Sequence, residues 1–288
     1  MRAAPAPTQS PAVRIDAHQH FWRYSPAEYG WIDARMSRIA RDFLPADLQP
    51  ELAAAGIDGC IAVQARCCQA ENEFLLALAA TTPFVKGVVG WADLTSPTAG
   101  DVVAQLAAHD KLVGLRHIVQ AEADDFLRRA DFQRGVRTLA RHGLVYDLLV
   151  YPQQLPAALD FVRALPGQPL VLDHLAKPDI RRDGREPWAR QLHELGRCPH
   201  LAVKLSGLVT EARWQHWRAA DFTFYLDTAL DAFGPDRLLF GSDWPVCLVA
   251  AADYRAVHDL LAQWATRLDS RARELLFSGN ATRIYGLA

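Results

Sequence analysis

The sequence predicts a single α/β domain built as a (β/α)8 TIM barrel. Three observations predict it. Eight short apolar runs recur along the 288 residues, and most are followed by a helical stretch. Several runs are nearly continuous in Val, Leu and Ile, as parallel strands covered on both faces are. Polar residues gather at the C-terminal end of each run, where barrel strands converge on one face. Strand–helix alternation over about 250 residues is the size of such a barrel. No linker or shift of composition divides the chain, so the domain is expected to cover 13–288.

The first run, RIDAHQH (14–20), carries His18 and His20, which share a side because strand residues i and i+2 do. A long connection, 21–43, follows and holds Phe21, Trp22, Tyr24, Tyr29 and Trp31. GCIAVQA (59–65) ends at Gln64 with Arg66 just beyond, and VKGVVGWADL (85–94) ends with Trp91 and Asp93. LVGLRHIV (112–119) brings Arg116 and His117. The amphipathic stretch FQRGVRTLARHG (132–143) leads into LVYDLLVY (144–151), which holds Asp147. LPAALDFVRALPG (155–167) leads into PLVLDHLA (169–176), with Asp173 and His174 near its end. PWARQLHELGRC (187–198) precedes LAVKLSG (201–207), which carries Lys204 and Ser206. A second long connection, 208–222, holds Trp214, His216 and Trp217. Phe222, Phe224, Leu226 and Leu230 then repeat at helical spacing and are expected in the core. The last run, LLFGSDWP (238–245), delivers Asp243.

Long connections with this aromatic load form ligand walls or pack onto the barrel rim. Both outcomes stand at this point, with Trp22 and Trp31 the expected ligand contacts. Aromatic faces suit the apolar face of a sugar ring, and their polar edges suit its hydroxyls.

Lys and Arg number 31 against 33 Asp and Glu, a net charge of -2. That balance gives no electrostatic footprint for nucleic acid or an anionic membrane. No apolar run approaches the length that spans a bilayer. The first twelve residues, MRAAPAPTQSPA, lack a signal peptide's apolar core and are expected to form a disordered tail. Five scattered cysteines make no disulfide framework, and a reducing cytoplasm is the expected setting. Adjacent Cys67 and Cys68 cannot give the spacing of a zinc knuckle, and small buried hydrophobes are expected. The composition is compatible with a homo-oligomer.

Imidazole and carboxylate are ordinary ligands of zinc, manganese and iron. A metal site with an open position acidifies water to a pKa of about 7. Asp243 would take the proton of that water and pass it to the leaving group. Arg116 would hold a carbonyl or carboxylate oxygen as a two-pronged donor. His117, Lys204 or His174 would stabilise the charge that develops on a carbonyl under attack. These groups describe a hydrolase of an ester-like or amide-like carbonyl. His174 also fits a core histidine bonded to its neighbour Asp173, and Lys204 fits a simple ion pair. Asp147, His117, Lys204, Trp22 and Trp31 are the expected substrate contacts. His109, His142, His193, His200, His216 and His258 are expected to be solvated or packing residues.

IDAHQHFW (15–22), VLDHLAKPD (171–179), VKLSGL (203–208), LLFGSDWPV (238–246) and SGNATRIYGL (278–287) together resemble the amidohydrolase superfamily. More narrowly they resemble its sugar-lactonase branch of L-fuconolactonases and L-rhamnonolactonases, and more distantly the 2-pyrone-4,6-dicarboxylate lactonases. The resemblance implies a distorted barrel that hydrolyses the ring ester of an L-sugar lactone, such as L-fuconolactone. It maps His18 and His20 to the strand-one pair, His174 to the later barrel histidine and Asp243 to the water-activating aspartate. Arg116 and His117 fall where the branch contacts substrate. Two-metal members carry a carboxylated Lys on strand four; here that strand ends in Arg116-His117 and Lys111 lies at its other end. A two-metal site is therefore not expected. The resemblance leaves one divalent metal, zinc first, held by His18, His20, His174 and Asp243, or none. A carboxylated lactone met by Arg66, Arg116 and Lys204, a barrel decarboxylase, and a sugar-binding barrel without catalysis remain as rivals.

Overall fold

The computed structural model describes residues 13–287. The tail expected over 1–12 lies outside them. Eight strands form one parallel sheet in sequence order: β1 (Ile15–Gln19), β2 (Gly59–Val63), β3 (Val85–Gly90), β4 (Leu112–His117), β5 (Val145–Leu148), β6 (Leu170–Leu172), β7 (Leu201–Leu205) and β8 (Leu238–Phe240). Eight helices cover it: α1 (Pro45–Ala55), α2 (Gln69–Thr81), α3 (Ala99–Leu106), α4 (Ala130–Val136), α5 (Leu155–Ala164), α6 (Trp188–Gly196), α7 (Ala220–Phe233) and α8 (Tyr254–Trp264). Two short helices, α9 (Ser270–Glu274) and α10 (Asn280–Tyr285), end the described chain.

The barrel is distorted in a definite way. Register slips between β1 and β2, β2 and β3, and β3 and β4. Between β1 and β8 a single bridge, Gln19 with Trp244, replaces a ladder. The Asp16 carboxylate does much of the closing there. It accepts from the backbone N–H groups of Ser242 (2.9 Å) and His18 (3.1 Å) and from the Tyr254 hydroxyl (3.0 Å). Burial pushes its carboxyl up to about 6, against those hydrogen bonds. Asp243 N–H donates to the His18 carbonyl at 2.8 Å and His20 N–H to the Trp244 carbonyl at 2.7 Å. The first and last motifs of the sequence are thereby sewn together.

Inside the barrel, Ile15, Ile61, Val89, Val113, Val145, Val171, Ala202 and Leu239, one from each strand, form an apolar layer. Ala281 and Tyr285 of α10 pack against it. Alternation along each strand then decides what stands above it. Two residues after Val145 comes Asp147, after Val171 comes Asp173, and after Ala202 comes Lys204, all buried. The second, larger apolar cluster lies between strands and helices.

The helix expected over 132–143 is α4 followed by a tight turn, Leu139–His142, which ends at Gly143 in a left-handed conformation (φ 68°). The strand expected over 169–176 stops at Leu172. His174, Leu175, Ala176 and Lys177 all have positive φ, between 51° and 56°. A left-handed turn of non-glycine residues costs roughly 1–2 kcal/mol per residue, so it persists only where surroundings impose it. Here the Trp188 indole donates to the Leu175 carbonyl at 2.7 Å and Lys177 N–H to the His174 carbonyl at 2.8 Å.

Candidate active site

Three imidazoles converge on one carboxylate oxygen at the C-terminal ends of the strands. Asp243 Oδ1 lies 3.3 Å from His20 Nε2, 3.9 Å from His18 Nε2 and 4.0 Å from His174 Nε2. Each ring is held from behind. His20 Nδ1 lies 2.7 Å from the Val63 carbonyl, which only accepts, so that nitrogen carries the proton. His18 Nδ1 lies 3.2 Å from Asp173 Oδ1, and His174 Nδ1 lies 2.8 Å from the Ser206 hydroxyl.

In the sequence Asp173 stands out only as a neighbour of His174. It gathers partners from three other strands: His18, Arg116 Nη1 (2.9 Å) and Lys204 Nζ (3.1 Å). Burial opposes its charge, yet Lys204, His18 and Arg116 together hold its carboxyl well below the usual range. Lys204 also pairs with Asp147, whose other oxygen accepts from the Tyr285 hydroxyl at 2.7 Å. Burial pushes Asp147 up to about 6, with Lys204 opposing and Asp173 adding. Two cations and two carboxylates thus balance inside the barrel.

Asp243 has no such partner. Burial pulls its carboxyl up, and His174, His20 and His18 hold it below the usual range. Burial also drives His174 down to about 4, against Asp243 and Asp173, and drives His18 far below its ordinary value. Those two rings are therefore neutral at pH 7, and their Coulombic pull on the Asp243 carboxylate acts only where a ring takes up a proton. The His20 lone pair and the carboxylate face each other across 3.3 Å. Two acceptors so placed require a cation between them, a proton or a metal ion. The candidate ligand atoms of His18, His20 and Asp243 all lie within 4.8 Å of one another, and all three residues are buried. This donor set fits a divalent metal. Arg116 Nη1, 3.2 Å from His18 Nε2, competes for the same lone pair.

A cavity of about 530 Å³ opens above. His20, Arg116, His174 and Asp243, each under 5 % exposed, form its floor. Trp31, Met36, Gln120, Tyr151, Lys177, Glu211 and Trp214 are among its walls. Of the expected site residues, the structure brings His18, His20, His174, Asp243 and Arg116 together, with Trp31 on the wall. It places four elsewhere. Trp22 is fully buried, its indole donating to the Arg41 carbonyl at 2.9 Å and its ring packed 5.8 Å from that of Trp31. His117 accepts from the Trp91 indole (3.1 Å), pairs with Glu122 (2.8 Å) and stacks on Phe126. Lys204 and Asp147 lie below the floor, in the charge-balanced layer. A strand-end position gives the direction of a side chain and leaves its depth open.

Gln64, Tyr151, Lys177 and Glu211 had no assigned role from the sequence. The Gln64 side-chain amide donates to the Arg116 backbone carbonyl at 3.0 Å, and the Gln64 backbone carbonyl accepts from Arg116 Nη2, which fixes the guanidinium. Lys177 lies inside the VLDHLAKPD motif and Glu211 inside the second long connection, three residues before Trp214. Those positions were the available signal.

The sequence profile of the amidohydrolase family matches residues 15–287. An L-fucono-1,5-lactonase of Burkholderia multivorans is 47% identical over 288 residues, covering 96% of this chain and 97% of that one. A second L-fucono-1,5-lactonase, from Burkholderia ambifaria, is 39% identical, covering 94% and 95%. A crystal structure of an amidohydrolase from Burkholderia multivorans with bound zinc, 47% identical, superposes with a TM-score of 0.93 over 96% of this chain and 100% of that one.

Proposed function

The chain belongs to the amidohydrolase family, and from that premise we propose that it hydrolyses the ring ester of an L-sugar lactone, L-fucono-1,5-lactone foremost, to the sugar acid. The observation that carries it is the convergence of three imidazoles on Asp243 at the floor of a ligand-sized cavity. Water attacks the lactone carbonyl carbon while Asp243 takes its proton. Arg116 and His174, which flank the same space, donate to the carbonyl oxygen as it gains charge. For that role the Ser206 hydroxyl donates to His174 Nδ1 and leaves the proton on Nε2. The tetrahedral adduct then collapses, the bond from carbonyl carbon to ring oxygen breaks, and Asp243 returns the proton to that oxygen.

A divalent metal held by His18, His20 and Asp243, zinc first, would polarise the carbonyl and acidify water. The zinc in the Burkholderia multivorans structure supports that choice. The carboxylated-lactone alternative loses its cations. Arg66 is paired with Glu71 and Glu28, and Lys204 with Asp147 and Asp173, while Arg116, its charge balanced by Asp173, serves the carbonyl oxygen and leaves no cation of the three for a further carboxylate. We place the activity in carbohydrate catabolism. Its five free cysteines suit a reducing cytoplasm. No helix among the described residues is long and apolar enough to cross a membrane.

The test is acid release from L-fucono-1,5-lactone by the purified protein and by Asp243→Asn. The variant should lose roughly a hundredfold or more in kcat with little change in KM, as expected for a lost general base. A parent rate no faster than spontaneous hydrolysis refutes the assignment, and an undiminished kcat in the variant removes Asp243 from its role.

A further inference from the structure

Two charged side chains on the cavity wall take no part in the chemistry above. Lys177 is the last residue of the left-handed turn after β6, three residues beyond His174, and Glu211 lies in the loop after β7. Lys177 Nζ lies 4.0 Å from Glu211 Oε1. That is an ion pair too open for a direct hydrogen bond. Among the described residues, the other charged-group contact of Lys177 is the Tyr151 ring, 5.3 Å from Nζ to the centroid. Glu211 has one long contact besides, 3.5 Å from the Thr210 hydroxyl. Both side chains are mostly buried, at 16% and 22% exposure, and both line the same cavity as His174 and Asp243. A half-satisfied ion pair in a cavity wall is poised for a ligand that completes it.

We propose that Lys177 and Glu211 read the hydroxyl groups of the substrate and thereby select neutral, hydroxylated lactones over carboxylated ones. A hydroxyl both donates and accepts. Placed at the pair, it gives its proton to the Glu211 carboxylate and takes a hydrogen bond from the Lys177 ammonium. Neighbouring hydroxyls on a sugar ring can satisfy the two ends separately. A carboxylate on the ligand has no proton to give. At Lys177 it would stand beside the Glu211 carboxylate, to which it can give no hydrogen bond and which repels it, in a cavity that already holds Asp243. Burial and the nearby Asp243 raise the Glu211 carboxyl while Lys177 opposes them, so the pair is mutually dependent. This inference rests on the lactone-hydrolase assignment and adds to it the residues that set substrate class.

The experiment compares the parent with Glu211→Gln on three compounds: L-fucono-1,5-lactone, the hydroxyl-free δ-valerolactone, and 2-pyrone-4,6-dicarboxylate. Losing a charged hydrogen bond to substrate should cost roughly tenfold to a hundredfold. The ratio of kcat/KM for the sugar lactone over δ-valerolactone should fall by that factor, mostly through KM, and the dicarboxylate should gain on the sugar lactone. Lys177→Met removes the other half of the pair and should lower the same sugar-to-valerolactone ratio. It serves as the reading if Glu211→Gln does not fold. A well-folded Glu211→Gln whose ratio stays within twofold of the parent overturns the proposal and leaves the lactonase assignment standing. A parent that opens δ-valerolactone and not the sugar lactone overturns both.

Discussion

Gly207→Ala tests whether the position of His174 matters to catalysis. Gly207 has φ +64°, and a Cβ there would lie 2.5 Å from His174 Nδ1, 2.7 Å from Cγ and 3.1 Å from Cε1. Ordinary contact begins at 3.4 Å, so the ring must retreat by 3.4 − 2.5 = 0.9 Å. It has little room. The ring centroid lies 4.4 Å from that of His18, the backbone is held in a left-handed turn, and Ser206 holds Nδ1 at 2.8 Å. A misplacement of about 1 Å can cost about 100-fold in rate. The backbone penalty for Ala at positive φ adds about 1–2 kcal/mol of lost stability. Gly143→Ala separates the two effects, because Gly143 has φ +68° and nothing within 4 Å of its would-be Cβ. Lactone hydrolysis and thermal unfolding are measured on both variants. Gly207→Ala should lose about 100-fold in kcat, and Gly143→Ala should lose a comparable few degrees of melting temperature with its rate intact. A Gly207→Ala enzyme within threefold of the parent, or equal rate losses in both variants, refutes the reasoning.

Lys204→Met keeps the side-chain bulk and leaves Asp147 and Asp173 without their shared buried cation. Breaking a buried pair typically costs about 3–5 kcal/mol, to be read from urea unfolding at pH 7, and Asp147→Asn in the same chain should restore part of it. A loss under about 1 kcal/mol would show the layer to be more hydrated than its burial implies. Exhaustive chelation should lower both the hydrolysis rate and the melting temperature, and added zinc should restore both, since a ligand of the folded state alone stabilises it. Full rate in protein shown metal-free by elemental analysis would leave the imidazoles and Asp243 to act unaided.

The barrel was legible because its strands are buried on both faces and so appear as unbroken apolar runs, as in Leu112–Leu115 and Leu170–Leu172. The distant pairing of His18 and His20 with Asp243 was legible because strand ends in this fold share one rim. The left-handed turn was not. Leu175, Ala176 and Lys177 carry no glycine or asparagine signal, and the turn is imposed by Trp188, thirteen residues away, and by the ring of His174 against Ser206. Depth was equally hidden. Trp22 and Trp31 sit in one aromatic loop with their rings 5.8 Å apart, yet one is fully buried and the other 41% exposed on the cavity wall. Their place near the ends of their strands made Lys204 and Asp147 expected substrate contacts, and the packed structure puts them beneath the floor.

That layer explains why Asp243 can act as a base. A barrel interior tolerates charge when the charges cancel. Arg116 and Lys204 are held by Asp173 and Asp147, so neither cation is free to neutralise Asp243. Asp243 instead faces rings that burial keeps neutral. Its carboxyl already lies below the usual range, and a permanent arginine partner would lower it further and occupy the oxygen lone pairs that must face water. Here the fixed charges pair with each other one layer down and hold His18 and Arg116 in place. The carboxylate above them keeps an affinity for a cation that a proton or a divalent metal can satisfy. Removing the balance below, as Lys204→Met does, should therefore disturb the geometry above even though Lys204 never reaches the cavity.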